Sequence, residues 1–255
     1  MSHYVDLNSD LGESFGNYTL GMDSEVLNHV TSANIACGWH AGDPLIMDAT
    51  VRICKEKGVA VGAHPGYPDL MGFGRRAMAV NPAEAKAYMI YQLGALQAFC
   101  DSHDLTLQHM KLHGAFYNTA CVTPVLADAI LDGLQAVNPN IAAMVLSGSY
   151  IAQEAQRRGI PVIQEVFADR GYTEKGTLVP RTEEGAFIKD PQEALDRVLM
   201  MVTKGKVVTN TGKTIDIVAD SICVHGDNPE AIAFTKYIWE GLSKAGITVA
   251  NFQHR

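Results

Sequence analysis

The sequence predicts an α/β protein built as one domain, a closed or nearly closed barrel of seven parallel strands with helices around it. Three observations predict this. Seven short apolar runs alternate with amphipathic stretches along the 255 residues, as expected when a helix returns each strand to one sheet. Five of the helix candidates open with a polar cap residue followed by proline. Four of the apolar runs finish in a histidine with a glycine one or two residues later. A doubly wound open sheet is the competing arrangement.

The first run, 4–8, leads into "DLNSDLGESFG". Asp6 and Asn8 share a strand face by the period of two, and Asp10 and Glu13 follow at the exit. Acidic and amide groups there can bind a metal, act as a base or position an ammonium or amide, although Asn, Asp and Gly also form turns. The second run, 32–37, ends at His40. Its helix, 44–57, opens at Asp43-Pro44 and closes at Gly58. The third, 59–64, ends at His64, and Asn81-Pro82 opens the helix 82–103. Cap side chains accept an orphan N–H, and proline at the first helical position lacks only an N–H that would be unpaired anyway.

The fourth run, 107–113 ("LQHMKLH"), carries Lys111 and His113. A lysine within an apolar strand needs a carboxylate partner if it is buried. Helix 123–137 opens at Thr123-Pro124. The fifth run is 141–147, followed by helix 149–159. The sixth, 161–166, ends near Glu165, Asp169 and Arg170. The irregular stretch 167–189 then contains Arg181. Loops that long inside a compact domain are usually functional, and a barrel places its site at strand ends. Asp190-Pro191 opens helix 191–204. The seventh run, 220–225, ends in His225-Gly226-Asp227 before Asn228-Pro229 opens helix 229–245.

Histidines that follow four different strands would converge at one mouth, where imidazoles serve as acid, base or ligand. The expected catalytic set is therefore Asp10, His40, His64, Lys111, His113 and His225. Asp6, Asn8, Glu13, Glu165, Asp169, Arg170, Arg181 and Asp227 are expected to bind substrate, with Arg170 suited to bidentate capture of a carboxylate or phosphate. His29, His103, His109 and His254 lack a comparable context.

Composition excludes several classes. A net charge of −8 argues against nucleic-acid binding. No run of 18 apolar residues suggests a membrane span, and the N-terminus does not read as a signal peptide, so a cytoplasmic location is expected. Five cysteines without a CxxC pair read as reduced thiols. Cys37, beside His40, is the one candidate nucleophile among them. "GKVVTNTGKT" (205–214) ends like a P-loop, but Val207 stands where GxxxxGK needs glycine, and the expected order is helix then strand. The chain shows no nucleotide cradle of its own.

The segments "DLNSDLGESFG", "SANIACGWHAGDP", "GAHPGYPDLMGFGRR", "KLHGAFYN", "EVFADRGY", "LVPR" and "DSICVHGDNP" resemble the LamB/YcsF family from end to end. The resemblance implies a (β/α)7 TIM-like barrel similar to those of polysaccharide deacetylases and related glycoside hydrolases. It also implies an ATP-dependent 5-oxoprolinase activity, converting 5-oxo-L-proline, ATP and water to L-glutamate, ADP and phosphate, with subunits B and C as partners. ATP would act as co-substrate of the complex, and phosphorylation of the amide oxygen would activate the unstrained lactam. Two alternatives stand beside it: a stand-alone metal-dependent, deacetylase-like hydrolase of a small amide or sugar, and a non-catalytic lactam-delivering component. Metal ligands are not assigned, since the helical HxxxH pair of the deacetylases is absent; a divalent metal is possible but not indicated.

Overall fold

The computed structural model describes residues 3–225 and 228–252. Its centre is a closed barrel of parallel strands: β1 (Tyr4–Leu11), β2 (Ser32–Ala36), β3 (Ala60–His64), β4 (Leu107–Met110), β5 (Ala142–Leu146), β6 (Val162–Phe167) and a last strand, Ser221–Cys223. Neighbours in this order pair in parallel. The last strand closes the ring, aligning Ser221 with Glu165 on one side and with Asp6 on the other. The closed ring settles the choice between barrel and open sheet.

Helices return the chain on the outside. They are α1 (Asp23–Val26), α2 (Pro44–Lys57), α3 (Pro82–Ser102), α4 (Gly114–Val122), α5 (Pro124–Val137), α6 (Tyr150–Arg157), α7 (Pro191–Lys204) and α8 (Pro229–Lys244). The expected caps form at four of the five proline starts. Asp43, Asn81, Asp190 and Asn228 each accept from a backbone N–H of the first turn, and Asn81 with Glu84 makes a reciprocal capping box. Thr123 makes no side-chain cap bond, because it joins two helices, α4 and α5, as a corner. Sequence pattern alone missed α4 and the single turn α1.

The hairpin β7 (Lys206–Val208) and β8 (Thr214–Asp216) is antiparallel and lies outside the barrel. It contains "GKVVTNTGKT", so the segment is a strand–turn–strand unit and not a phosphate loop. The closing strand of the barrel is therefore β9, and β10 (Thr248–Val249) pairs with the start of β1. The stretch 167–189 has no helix and only isolated bridges, Arg170 with Phe187 and Tyr172 with Leu178.

Burial divides the barrel into two kinds of surface. Outward residues such as Leu7, Ile35, Val61, Met110, Val166 and Ile222 join the helices in one apolar core. Ala142, Met144 and Ile163, with Phe252, form a separate small cluster. On the alternate positions of β1, Asp6, Asn8 and Asp10 face the interior as successive layers. No single helix among the described residues is long and apolar enough to cross a membrane.

Candidate active site

The mouth of the barrel, at the C-terminal ends of the strands, holds a cavity of about 370 Å³. Asp10, Glu13, Lys111, His113, Arg170, Arg181 and His225 line it, together with Phe73, Arg75, Tyr117 and Phe167. Seven of the fourteen expected residues thus reach the cavity directly. The structure places most of the others behind or beneath it.

Lys111 is the centre of the floor. It is 2% exposed, and its Nζ lies 2.9 Å from Asp10 Oδ1 and 2.7 Å from Glu165 Oε1. It also donates to Asn8 Oδ1 at 3.1 Å and to Cys223 Sγ at 3.2 Å. Burial alone would lower the lysine pKa, but the carboxylates of Asp10 and Glu165 more than offset it and hold the ammonium well above its usual range. Asp10 shows the mirror effect. Burial opposes its ionisation, and His64 and Lys111 nevertheless hold it well below the ordinary carboxylate range. Glu165, fully buried, accepts from Tyr117 Oη at 2.7 Å, and burial raises its pKa.

The layers below are structural. Asp6 accepts from the hydroxyls of Thr31 (2.6 Å), Ser32 (2.7 Å) and Ser221. Asn8 donates to Ser221 Oγ and accepts from Asn34 Nδ2, each at 2.8 Å. Neither lines the cavity, which corrects their expected place among substrate-binding groups: the pleat points them inward, but one and two layers too deep. His109, without context in the sequence, belongs to the same network. Its Nε2 donates to Asn34 Oδ1 at 2.7 Å, and burial pushes it down to about 3.

Three histidines from three strand ends meet on one side of the mouth. His40 follows β2, His64 ends β3, and His113 is the residue before α4. His64 Nε2 lies 3.3 Å from Asp10 Oδ2 and 2.9 Å from His113 Nδ1. His40 stacks on His113 with ring centroids 3.7 Å apart. Burial pushes His113 down to about 3 and His40 well below the imidazole range. Glu13 Oε1 approaches His40 Nε2 at 3.5 Å and His113 Nδ1 at 3.6 Å. One donor atom from each of these four residues lies within 4.8 Å of the others. The glycines explain why backbone can come so near. A Cβ on Gly66 would sit 2.6 Å from His40 Nδ1, and one on Gly74 2.8 Å from His113 Cδ2.

The rim of the cavity is cationic. Arg181 is exposed, its guanidinium 5.3 Å from the Phe187 ring, and Arg75 lies 4.9 Å from the Phe73 ring. Arg75 was missed because "GFGRR" reads only as a glycine turn. Arg170 reaches the cavity, but its Nε and Nη2 donate to the carbonyls of Ala186 and Val179. Its fork pins the 167–189 loop, which corrects the expected bidentate capture of an anion. Asp169 Oδ2 lies 2.9 Å from His225 Nδ1 and holds that ring at the cavity wall. Asp227 falls outside the described residues. Cys37 is buried, with a thiol raised to about 12 by burial, so it is not the reactive nucleophile considered from sequence.

Comparison with known proteins agrees with this architecture. The model of the LamB/YcsF family matches residues 5–255. A protein from Fusobacterium nucleatum, named as the A subunit of 5-oxoprolinase, is 61% identical over 249 residues, 98% of this chain and 97% of that one. A protein of the same name from Pyrococcus horikoshii is 52% identical over 96% of each chain. A crystal structure of a lactam utilization protein from Thermus thermophilus superposes with a TM-score of 0.92 at 44% identity, covering 98% of this chain and all of that one. With matches that run nearly end to end, this chain belongs to the LamB/YcsF family.

Proposed function

We propose that this chain is the lactam-handling component of an ATP-dependent 5-oxoprolinase, opening 5-oxo-L-proline to L-glutamate together with subunits B and C. The observation that carries the reading is the pairing of an ionised Asp10 with a retained Lys111 ammonium at the floor of a small cavity with a cationic rim. A small anionic amide suits that combination. Arg181 and Arg75 take its carboxylate, Asp10 accepts a proton from the attacking water, and Lys111 keeps Asp10 ionised. His225 faces the same cavity and orients the amide. As the C–N bond breaks, the ring nitrogen takes up a proton and becomes the amine of glutamate. Phosphoryl transfer from ATP to the amide oxygen, released as phosphate after water has added to the carbon, falls to the partner chains, in keeping with relatives whose name makes them one component of a larger enzyme, and with a GKT segment folded as a hairpin.

The test is glutamate release from 5-oxoproline and ATP, with and without subunits B and C. Release only in the mixture is expected. A second reading, a stand-alone metal-dependent hydrolase, is favoured by the imidazole cluster with Glu13. Turnover of a small amide or acetylated sugar by this chain alone, without ATP, would establish it instead.

A further inference from the structure

The contact between His64 and His113 has an unusual proton count. His64 Nδ1 lies 2.8 Å from the Lys111 carbonyl oxygen, and His113 Nε2 lies 2.8 Å from the Phe73 carbonyl oxygen. A carbonyl only accepts, so both of these nitrogens carry hydrogen. A neutral imidazole has one N–H. The inner nitrogens, His64 Nε2 and His113 Nδ1, face each other at 2.9 Å, with Asp10 Oδ2 3.3 Å from the same His64 Nε2, and in the neutral forms both nitrogens would be bare lone pairs. Such a pair repels unless a cation joins it, either an extra proton or a metal ion.

Asp10 suits the proton, whereas the other surroundings suit the metal. A backbone carbonyl on the far N–H is the arrangement that fixes the tautomer and orientation of a ligating histidine. Glu13 Oε1 is 3.6 Å from His113 Nδ1 and 3.5 Å from His40 Nε2. Donors at zinc–ligand distances in a tetrahedral set are about 3.3 Å apart; three of the spacings here, 2.9, 3.5 and 3.6 Å, bracket that value, and all four donors lie within 4.8 Å. His40 is 0% exposed, and neither ring nitrogen has a hydrogen-bond partner among the described residues. Imidazoles with one carboxylate suit zinc and its late first-row neighbours, not magnesium or calcium.

We propose that His64 Nε2, His113 Nδ1 and Glu13 hold one divalent transition-metal ion of the zinc type, with His40 as the fourth donor. His40 is parallel to His113 within 7°, so its lone pairs run alongside those of His113. Its ring must turn on loading, and it is the donor whose pose changes. Glu13 and His113 line the cavity, so the ion would be reached from the mouth.

The isolated chain, stripped with a chelator, is titrated with zinc sulfate by calorimetry, and bound metal is counted by mass spectrometry. One zinc per chain and a raised melting temperature are expected. His64→Gln, His113→Gln and Glu13→Gln should each weaken binding by more than about 100-fold, the most that loss of a supporting partner usually costs. Circular dichroism first establishes that each variant folds; if none does, wild-type stoichiometry decides alone. Lack of saturable one-to-one binding by the wild type overturns the proposal. So does unchanged affinity in the folded variants, or nitrogen-15 spectra with a shared imidazolium proton on His64 and His113 in excess zinc. No lactam, ATP or partner chain is present, so failure here is distinguishable from failure of the lactam reading.

Discussion

Lys111 Nζ lies 2.7 Å from Glu165 Oε1, and both side chains are sealed from solvent. Removing one partner of a buried pair strands the other charge, at about 3–5 kcal/mol, whereas replacing both is often near neutral. Lys111→Met leaves Glu165 and Asp10 without their cation, and should destabilise the fold by about 3–5 kcal/mol. Lys111→Met combined with Glu165→Gln should recover part of that loss. Denaturant unfolding measures both, and a double variant no more stable than the single would contradict the pairing.

Gly62 and His109 make a second dependence across the barrel. A Cβ at Gly62 would fall 2.1 Å from His109 Nε2. Gly62→Ala must displace a ring held by Asn34, and forced repacking of this kind costs about 1–3 kcal/mol. With His109→Ala already in place, the same alanine should cost much less. Additive losses in a thermal-unfolding cycle would mean that the two positions do not meet.

Acid sensitivity follows from the same histidine. Burial pushes His109 down to about 3, while an unfolded histidine titrates near about 6.5. Between those values the unfolded chain binds a proton that the folded chain does not. Stability from this group is therefore full above about pH 6.5 and declines as pH falls toward 3. His113 acts in the same direction, and Asp10, depressed in the fold, adds its own loss at lower pH. The melting temperature should fall from pH 7 to pH 5, with a shallower slope in His109→Gln. Equal slopes would remove His109 from the account.

The strands were legible because parallel barrel strands are buried on both faces and read as apolar runs with a period-two polar lining. That lining also betrayed Asp10 and Lys111. Depth along the strand was not legible: Asp6, Asn8 and Asp10 share one pattern, and only the height of the cavity tells them apart. His109 was passed over because its partner, Asn34, is 75 residues away. Helix α4 was missed because Gly114–Val122 is largely apolar with no capping side chain, and Tyr117, the partner of Glu165, was missed with it. Arg75 sits in a loop that turns through Phe73 at φ 54° and is tied down by His113 on the Phe73 carbonyl.

Arg181 is exposed and lines the cavity, so its removal should leave the fold intact. Arg181→Ala in the reconstituted complex should raise KM for 5-oxoproline by about ten-fold, the lower range for a hydrogen bond to a charged group, with a smaller change in kcat. Arg170→Ala should behave differently. It frees the carbonyls of Val179 and Ala186, so it should lower the melting temperature as well as activity. Steady-state kinetics with melting curves separate the two, and an unchanged KM in Arg181→Ala would exclude that arginine from carboxylate binding.

Asp10 and Asp6 stand on one strand face but should fail in opposite ways. Asp10→Asn keeps the side chain's shape and its place beside Asn34, and Lys111 still has Glu165. The fold should survive, but the group that accepts the water proton is gone. Positioned acid–base groups contribute about 10²–10⁴-fold, so kcat in the reconstituted complex should fall by at least about 100-fold. Asp6→Asn removes a carboxylate that accepts three hydroxyls below the cavity. It should lower stability with little effect on kcat of the folded fraction. Near-native turnover in Asp10→Asn, or a kcat loss in Asp6→Asn as large as that of Asp10→Asn, would refute the assignment of Asp10 as the base.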